Sequence, residues 1–506
     1  MLSHVTSSAI LGIEGYLVDV EVDLSSGMPA FDIVGLPNSA VKESKDRVRT
    51  AIKNSNFNFP VKHITVNLAP ADIKKEGAGF DLPIAAGILA CMGIVIPKAL
   101  AGCLIIGELS LDGSVRPVNG ILPMVYSAMQ KGIARCIVPF DNREEAALVQ
   151  GITVTGVKTL AELSEHLNGQ TIAPVCLDME DVFSYETFFD FSDVKGQESV
   201  KRALEICAAG RHNLLMIGPP GSGKTMMSKR LPGILPNLNF EESIEVTKIY
   251  SVVGQLHNKN KLIVQRPFRA PHHTLSHTSL TGGGNPPKPG EISMAHQGVL
   301  FLDELPEFQK KALEVMRQPL EDSYVTIARV KHTITFPSDF MLVATMNPCP
   351  CGFYGSNTPC SCTQNEIFKY LHKISGPLLD RIDIQIEVPA VAYEHLGSGK
   401  QGEHSKDIKK RVQAARDIQQ KRYANENVTF NSRLSASLIE KYCTLNKEGQ
   451  DILKQAFEVM QLSARAYHKI LKAARTIADL EQSDNIKVTH LAEAIRYRTL
   501  DRKYWG

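Results

Sequence analysis

Residues 218–225 read GPPGSGKT, and this stretch decides the fold of the middle of the chain. A glycine, four further residues and then glycine, lysine and threonine satisfy the P-loop pattern of proteins that bind nucleotide phosphates. The preceding run LLMI predicts a short apolar strand, and the following run TMMSKRLPG predicts the start of a helix. This order directs backbone N–H groups and the positive end of the helix at a phosphate. The stretch therefore indicates a site for a nucleoside triphosphate.

The residues of the loop have separate expected roles. We expect Lys224 to place its charge on the β- and γ-phosphates of ATP, and the Thr225 hydroxyl to occupy a position on Mg²⁺. A chance glycine-rich turn is the alternative, and the flanking strand and helix disfavour it. The expected nucleotide ligands are Gly218, Pro219, Pro220, Gly221, Ser222, Gly223, Lys224 and Thr225, together with Asp303 of a second motif.

Length and composition describe an ordinary globular protein. The 506 residues predict about three domains, and 43% hydrophobic with 22% charged residues is typical of this class. The longest uncharged apolar run, 82–96, is too short to cross a bilayer, and the first residues lack the pattern of a signal peptide. Ten cysteines without a secretory signal favour a reducing compartment, so we expect a cytoplasmic protein without a membrane partner.

The charge of the chain is uneven. Its net charge of +2 neither requires nor excludes a nucleic acid partner. From Lys400 onward, however, 21 Lys and Arg stand against 13 Asp and Glu. A polyanionic partner and a solvated helical bundle explain this surplus equally well.

The apolar pattern divides the chain into three domains of an α/β fold. Residues 1–170 alternate short strand-like runs with helical stretches and predict a compact α/β domain. Residues 171–190 are acidic and aromatic with little periodicity, which predicts a linker. Residues 191–400 contain the P-loop and further apolar strands, as in a parallel-sheet nucleotide-binding core. Residues 401–506 have helical periodicity and predict a helical domain.

The second motif of the core is the run GVLFLDE at 298–304. Its apolar residues predict a buried strand that ends in two acids. We expect Asp303 to hold the ligand shell of Mg²⁺ and Glu304 to polarise the attacking water. Acids also end buried strands for solubility alone, but their pairing with a P-loop favours the catalytic interpretation.

Three further polar residues are candidates for catalysis. Asn347 follows the apolar run FMLVATM and is expected to position water near the γ-phosphate, although Asn-Pro also begins turns. Arg381 stands before another strand, where in a ring it reaches the nucleotide of a neighbour; a surface ion pair is the alternative. Arg465 begins a helix, from which we expect it to touch the γ-phosphate.

The order of these motifs resembles that of an AAA+ ATPase with a helical lid. The segment before the acidic strand, which includes RPFRAPHHTLSHTSLTGGG at 266–284, resembles the magnesium-chelatase-like branch. Together with the first domain, the chain resembles the YifB/ComM family from end to end. The resemblance implies that Asn347 is sensor 1, Arg381 the arginine finger and Arg465 sensor 2.

The same resemblance implies an assembly and a substrate. It implies a homohexameric ring that hydrolyses ATP and acts on single-stranded or branched DNA, as a helicase that promotes branch migration in recombination and natural transformation. Two other functions stay open. A magnesium-chelatase motor subunit is disfavoured by the fused first domain and by a cysteine insert. An ATP-dependent protease or protein remodeller is disfavoured by the chemistry of the first domain.

The first domain resembles the proteolytic domain of Lon, of the ribosomal S5 domain 2-like type, which uses a serine and a lysine. In the run KEGAGFDL at 75–82, Gly79 stands at the position of the serine, and Leu122 stands at that of the lysine. Because nucleophile and base are both missing, peptide hydrolysis by that dyad has no chemical basis. We expect a scaffold or a collar around DNA, and not a protease.

Four cysteines follow Asn347 closely, in an insert at 349–362 with the spacing C-x-C, eight residues, C-x-C. Four thiolates suit a closed tetrahedral Zn²⁺ site, and a redox disulfide pair is the main alternative. The other six cysteines are scattered singly, and we expect them to be buried as small apolar residues. The expected zinc ligands are Cys349, Cys351, Cys360 and Cys362.

The run SYVTIARVKHTITFPS at 323–338 predicts a hairpin with a basic tip. The resemblance implies that this hairpin projects into the channel of the ring and grips DNA. Cations there would bind the backbone without reading sequence, whereas a solvated turn is the alternative. The expected DNA contacts are Arg329, Lys331 and His332. Further candidates are Arg266, Arg269, His272 and His273, for which an interface coupled to the nucleotide or hydrogen bonds within the core are equal alternatives.

Overall fold

The structure is a computed structural model that describes residues 1–177, 183–184, 189–256, 258, 260–328, 333–356, 358–390 and 402–505. It confirms the predicted fold class. An α/β domain comes first, a core with a parallel sheet follows, and the C-terminal region is helical.

The first domain is built on a seven-stranded mixed sheet. A long antiparallel hairpin opens the chain, with Leu2 opposite Asp23 and Leu11 opposite Glu14. Its second strand alternates buried and partly exposed residues, as expected of a strand with one face against a core. The strands lie in the spatial order Ala30–Val34, His63–Ala69, Glu14–Ser25, Leu2–Leu11, Cys103–Ile105, Arg135–Pro139 and Thr153–Val157; a separate pair joins Glu108–Leu109 to Val115–Arg116.

Helices cover the sheet of the first domain. Helix Asp81–Cys91 is buried along its whole length, which accounts for the long apolar run of this region. The buried carboxylate of Asp81 accepts hydrogen bonds from Arg47 at 2.6 and 3.0 Å, so its charge is compensated. The helices are Ser39–Lys42, Ser44–Asn54, Asp81–Cys91, Pro97–Leu100, Ile121–Gln130, Arg143–Ala147 and Leu160–Leu167, with a 3₁₀ turn at Phe140–Asn142.

The core contains a five-stranded sheet in which all strands are parallel. Its three middle strands are fully buried, which is why they read as uninterrupted apolar runs. The carboxyl ends of parallel strands meet at one edge of a sheet, and ligands of such sheets bind there. The order is Phe268–Arg269, Val299–Leu302, Met341–Met346, Leu214–Ile217 and Ile384–Glu387.

Both faces of the core sheet are covered. Leu214 and Met216 of the P-loop strand face one apolar cluster, and Leu215 and Ile217 face another. The helices are Glu198–Gly210, Lys224–Ser228, Phe240–Val253, His277–Thr281, Glu291–Met294, Lys310–Val315, Arg317–Asp322, Gln364–Leu371 and Gly376–Leu379, with 3₁₀ turns at Phe191–Asp193, Leu231–Ile234 and Leu305–Glu307. Short strand pairs join Phe183–Ser184 to Leu262–Ile263, Gly282–Gly283 to Lys288–Pro289, and Tyr324–Ala328 to Thr333–Pro337.

The C-terminal helices up to Val488–Arg496 pack on one face of the core and share its apolar cluster, whereas the last helix, Thr499–Trp505, packs into the cluster on the other face. Arg416 is buried in this contact and donates to the carbonyl oxygen of Ala208 at 2.7 Å. The helices are Ser405–Arg422, Ala436–Tyr442, Lys447–Met460, Ala464–Leu480, Val488–Arg496 and Thr499–Trp505, with a 3₁₀ turn at Asn431–Arg433.

The first domain contacts the core through helix Phe240–Val253. Ser251 Oγ donates to Glu145 Oε1 at 2.5 Å, and Lys248 Nζ lies 2.9 Å from Glu14 Oε2. None of the helices in the described part of the chain is long and apolar enough to span a bilayer.

Candidate nucleotide and metal sites

The P-loop begins where its strand ends, at the carboxyl edge of the core sheet. Gly218 approaches the neighbouring chain segment so closely that a Cβ atom there would stand 2.3 Å from the carbonyl oxygen of Val388. Only glycine fits at this position. The glycine that begins the P-loop pattern is therefore required by its packing against the strand end at Val388 as well as by the loop.

The ammonium group of Lys224 lies inside the loop. Its Nζ donates to the carbonyl oxygens of Gly218 and Pro219 at 2.7 and 2.9 Å, and to Oδ1 of Asn347 at 3.3 Å. Burial lowers the pKa of Lys224, and the charge of Asp303 opposes this shift. The oxygens that contact Nζ are all neutral, so an anionic ligand would stabilise the positive charge of Lys224.

The carboxylate of Asp303 accepts hydrogen bonds from two threonines. Thr225 Oγ1 donates to Oδ2 at 2.7 Å, and the buried Thr345 donates to Oδ1. The hydroxyl of Thr225 and the carboxylate of Asp303 are thus adjacent, and oxygen donors of these kinds suit Mg²⁺. Sequence reasoning missed Thr345. The signal that identifies it is its position two residues before Asn347, on the same face of the strand.

The carboxylate of Glu304 is exposed beside this cluster. The residue has a positive φ of 54°, and its N–H donates to Oδ1 of Asp303 at 3.1 Å. Its side chain is 54% exposed, and Oε2 lies 3.5 Å from Nδ1 of His273. Glu304 is therefore accessible to water, and His273 has a place next to it. The structure brings together five of the predicted residues: Lys224, Thr225, Asp303, Glu304 and Asn347.

The two predicted arginines lie at the opposite edge of the sheet. Arg381 stands before strand Ile384–Glu387, which runs parallel to the P-loop strand, so it is at the amino edge. Its guanidinium group pairs with Glu321 of the same chain. Arg465 Nη1 donates to Oδ2 of Asp380 at 2.8 Å.

This placement concerns the expected contact of Arg465 with the γ-phosphate, which stays a prediction. Arg465 begins helix Ala464–Leu480, but the contact with Asp380 holds it beside Arg381 and away from the P-loop of its own chain. The helix packs against the amino edge of the core sheet, where Lys469 Nζ donates to the carbonyl oxygen of Ile382 at 2.7 Å. Arg465 therefore lies at the edge of the sheet opposite to the P-loop of its own chain.

The four clustered cysteines converge on one point. Their sulfur atoms all lie within 4.8 Å of one another, with Cys349 Sγ at 3.3 Å from Cys351 Sγ and 3.7 Å from Cys360 Sγ. The N–H of Cys351 donates to Cys362 Sγ at 3.4 Å. Hydrogen bonds, first that from the N–H of Phe353, lower the pKa of Cys351 to about 5, whereas burial and the neighbouring cysteines raise the pKa of Cys360 and Cys362. Zinc–sulfur bonds of about 2.3 Å fit sulfur atoms at these separations.

The other six cysteines correct the expectation of burial in part. Cys91, Cys103, Cys136, Cys207 and Cys443 are buried as predicted, and burial raises the pKa of the Cys103 thiol to about 11. Cys176, however, is exposed. It lies in the segment predicted as a linker, where the neighbouring residues 173 and 174 are also exposed.

The cysteine insert contacts the P-loop directly. Gly352 has a φ of +87°, and a Cβ atom there would stand 2.5 Å from Cδ of Pro220. On its other side, Gly355 lies near Nζ of Lys503, which pairs with Glu387 at 2.7 Å. A change in the conformation of the insert would therefore alter the packing of Pro220 in the P-loop.

The Lon-like positions carry no catalytic groups. Leu122 is fully buried in the apolar core, and Gly79 lines a cavity of about 400 Å³ between the first domain and the core. The neighbouring Lys75 is also fully buried and donates to the carbonyl oxygen of Ile73 at 2.7 Å.

The predicted hairpin is present, with Ala328 opposite Thr333. Its tip, and with it the predicted DNA contacts Arg329, Lys331 and His332, lies outside the described residues. Two of the further candidates have structural partners instead. Arg266 is buried and pairs with Glu242 at 3.0 Å, and Arg269 pairs with Glu291 at 2.7 Å.

Comparison with known protein families shows that three magnesium-chelatase family models match the chain. "Magnesium chelatase, subunit ChlI" matches residues 190–396, "Subunit ChlI of Mg-chelatase" matches 20–142, and "Magnesium chelatase, subunit ChlI C-terminal" matches 402–498. Over its whole length, the chain is similar to two bacterial proteins. It is 45% identical to competence protein ComM of Haemophilus influenzae and 44% identical to YifB of Escherichia coli, and each alignment covers 99% of this chain and 98% of the relative.

The comparison also confirms the predicted resemblance of the first domain to Lon. Lon protease 2 of Bacillus subtilis is 31% identical over 132 residues, which cover 26% of this chain and 23% of that protease.

Proposed function

The chain belongs to the ComM/YifB family of magnesium-chelatase-like AAA+ ATPases, and on that premise we propose that it is a hexameric motor that acts on DNA. The observation that carries the proposal is the separation of the catalytic groups. Five of them meet at the carboxyl edge of the core sheet, whereas Arg381 and Arg465 lie at the amino edge. A subunit alone therefore has an incomplete site, and a ring in which each subunit completes its neighbour's site resolves this.

Each group at the carboxyl edge has a role in hydrolysis. Lys224 binds the β- and γ-phosphates in place of its present carbonyl partners. Glu304 orients the attacking water and accepts a proton from it as a general base. Asn347 binds that water through its side-chain amide and directs it toward the γ-phosphate. Arg381 and Arg465 of the adjacent subunit neutralise the charge that develops on the transferred phosphoryl group.

Two metals fit the residues present. Thr225 and Asp303 would hold Mg²⁺, which neutralises phosphate charge when bound. Cys349, Cys351, Cys360 and Cys362 would hold Zn²⁺ as a structural ion. Four sulfur atoms within 4.8 Å of one another suit the closed tetrahedral site of a structural zinc ion.

DNA is the polymer that we propose as the substrate, as a single strand or a branched duplex. The relative from Haemophilus influenzae is named a competence protein, which supports a role with DNA. The hairpin of Tyr324–Ala328 and Thr333–Pro337 lies in sequence directly before the strand that leads to Asn347, which connects it through the chain to the nucleotide site. We propose a helicase that promotes branch migration, in the cytoplasm, and no proteolysis by the Lon-like domain.

The test of this function is the steady-state rate of ATP hydrolysis under four conditions. The chain is assayed without polymer, with single-stranded DNA, with a forked duplex and with protoporphyrin, and Glu304→Gln serves as the inactive control. We expect both DNA substrates to stimulate hydrolysis several-fold at low salt, with no effect of protoporphyrin. Unchanged hydrolysis with every DNA, or stimulation by protoporphyrin, would contradict the proposal.

The zinc assignment gives a second prediction. The double substitution Cys360→Ser and Cys362→Ser should remove bound zinc, measured by elemental analysis of the purified chain. Because Gly352 of the insert rests on Pro220, we also expect the affinity for ATP to fall about tenfold, or about 1.4 kcal/mol. The matched control is Cys176→Ser, which removes an exposed thiol outside the cluster.

A disulfide would give a different result. The wild-type chain would then carry no zinc, and denaturation without a reductant would expose two or four thiols fewer than its ten cysteines. That outcome would rule out the metal site.

A further inference from the structure

The first domain carries an open groove on the edge of its sheet that is remote in sequence from the nucleotide site. The groove has a volume of about 640 Å³. Its walls are helix Ser44–Asn54, the edge strand Ala30–Val34 and the segment 57–62. Because Ala30–Val34 is the last strand on this side of the sheet, the groove opens to solvent along its length.

Basic side chains follow one wall of the groove. Lys45, Arg49 and Lys53 stand four residues apart on the same helix, so they lie on one helical face. Lys62 extends the row from the opposite wall. The acid Asp46 also lines the groove, so the lining carries four cations and one anion.

Most of this charge is not used within the fold. Lys45 lies 3.5 Å from Asp32, which also pairs with a histidine. Arg49, Lys53 and Lys62, in contrast, form no ion pair with any residue that the structure describes. Arg49 and Lys53 are exposed, as is Lys62. Three cations that face the same groove repel one another, and an anionic ligand would relieve that repulsion.

Aromatic rings alternate with these cations. Phe31, Phe57 and Phe59 line the groove and are each only partly buried. The ring centroids of Phe31 and Phe59 are 6.2 Å apart, and the guanidinium carbon of Arg49 lies 5.5 Å from the centroid of Phe59. Rings placed between cations are what a single nucleic acid strand requires, because the bases stack on the rings while the phosphates meet the cations.

We propose that this groove binds a single strand of nucleic acid by its backbone and bases, without reading sequence. The inference rests on the proposed DNA motor and gives its first domain a role as a guide for one strand. An acidic protein segment would use the cations but has no need of the rings. A duplex would use the cations but keeps its bases stacked inside.

The test uses the full chain with Glu304→Gln, ATP and Mg²⁺, and a fluorescein-labelled thirty-nucleotide oligothymidylate as the probe. The groove variant is Arg49→Glu, Lys53→Glu and Lys62→Glu. We expect its affinity, from fluorescence anisotropy, to fall at least tenfold. We also expect the slope of log affinity against log salt concentration to decrease by about 2, at about 0.7 for each phosphate contact in single strands.

The matched control changes the same number of charges elsewhere on the first domain. This control variant carries Lys98→Glu, Lys131→Glu and Lys158→Glu. The three lysines are exposed and do not line the groove. A third variant, Phe59→Leu, keeps an apolar side chain but removes the ring. It should weaken binding about fivefold without changing the salt slope, because stacking contributes affinity without neutralising a phosphate.

The outcomes separate this inference from the function on which it rests. If DNA stimulates ATP hydrolysis by the wild-type chain but the groove and control variants bind equally, the groove is not a DNA site. If a polyglutamate peptide shows the same loss in the groove variant and Phe59→Leu has no effect on either ligand, the groove binds acidic protein instead. If the wild-type chain neither binds DNA nor responds to it, both proposals fail.

Discussion

Substitution of Glu304 by glutamine should lower the turnover of ATP by about 10² to 10⁴-fold, the range typical of a lost general base. Glutamine keeps the size of the side chain but cannot take a proton from water. Binding of ATP should persist, because Lys224, Thr225 and Asp303 are unchanged and do not depend on Glu304 for their contacts. The measurements are steady-state hydrolysis at saturating ATP and the dissociation constant of ATP.

The size of the effect decides between a catalytic and a local structural role. The contact of Glu304 with His273 at 3.5 Å is half exposed, and such pairs contribute about 0 to 1 kcal/mol, which is less than tenfold. The control is Glu307→Gln, three residues further on, whose exposed carboxylate lies 3.4 Å from Lys373. A loss below tenfold for Glu304→Gln, or an equal loss for Glu307→Gln, would mean that Glu304 is not the base.

The carboxyl-edge half of the site was predictable because its signals are local. The apolar strand 214–217 and the acidic strand end at 303–304 each combine a run that must be buried with a polar group directly after it. In a parallel sheet such ends meet, so adjacency follows from two short patterns without knowledge of the rest of the chain. The run shows that Thr345 lies on the same face as Asn347, but its contact with Asp303 comes from the pairing of neighbouring strands, which a single run does not show.

The position of Arg465 required the tertiary structure. Its motif marks the start of a helix but not the direction from which that helix approaches the core sheet. Packing against the amino edge, through contacts such as Lys469 with Ile382, sets that direction. The contact of Gly352 with Pro220 is similar, because the insert and the P-loop are separated by more than a hundred residues and meet only in the folded chain.

The groove of the first domain likewise could not be predicted from the sequence alone. The sequence predicts an α/β domain, but sequence reasoning missed Lys45, Arg49 and Lys53, although their four-residue spacing places them on one helical face. That Phe31 and Phe59 stand opposite this face depends on the position of Ala30–Val34 at the edge of the sheet, and strand order is not written in any single segment.

Replacement of Arg381 by alanine should lower ATP turnover by about 10³ to 10⁵-fold, the range of a lost arginine finger. The alternative is that Arg381 only stabilises its own subunit through Glu321. Glu321→Ala tests this, because it breaks the same ion pair but leaves the guanidinium group free to reach a neighbour. We expect Glu321→Ala to retain turnover within about tenfold, because the carboxylate of Glu321 is 54% exposed and the guanidinium group of the largely buried Arg381 keeps the carbonyl oxygen of Pro377 as a partner. Equal losses in the two variants would contradict a role in the neighbouring site.

Mixing of subunits distinguishes action on a neighbour from action on the same chain. Arg381→Ala keeps an intact P-loop, and Lys224→Ala keeps an intact arginine, so each variant alone should be inactive. In mixed rings, the P-loop of an Arg381→Ala subunit meets the arginine of a Lys224→Ala subunit, and hydrolysis should rise above that of either parent. Arg465→Ala should behave in the same way, because it lies at the same edge as Arg381. Mixtures that stay as inactive as their parents would mean that these arginines act on the nucleotide of their own chain. Both arginines would then have to move from the amino edge of the sheet to the P-loop before hydrolysis.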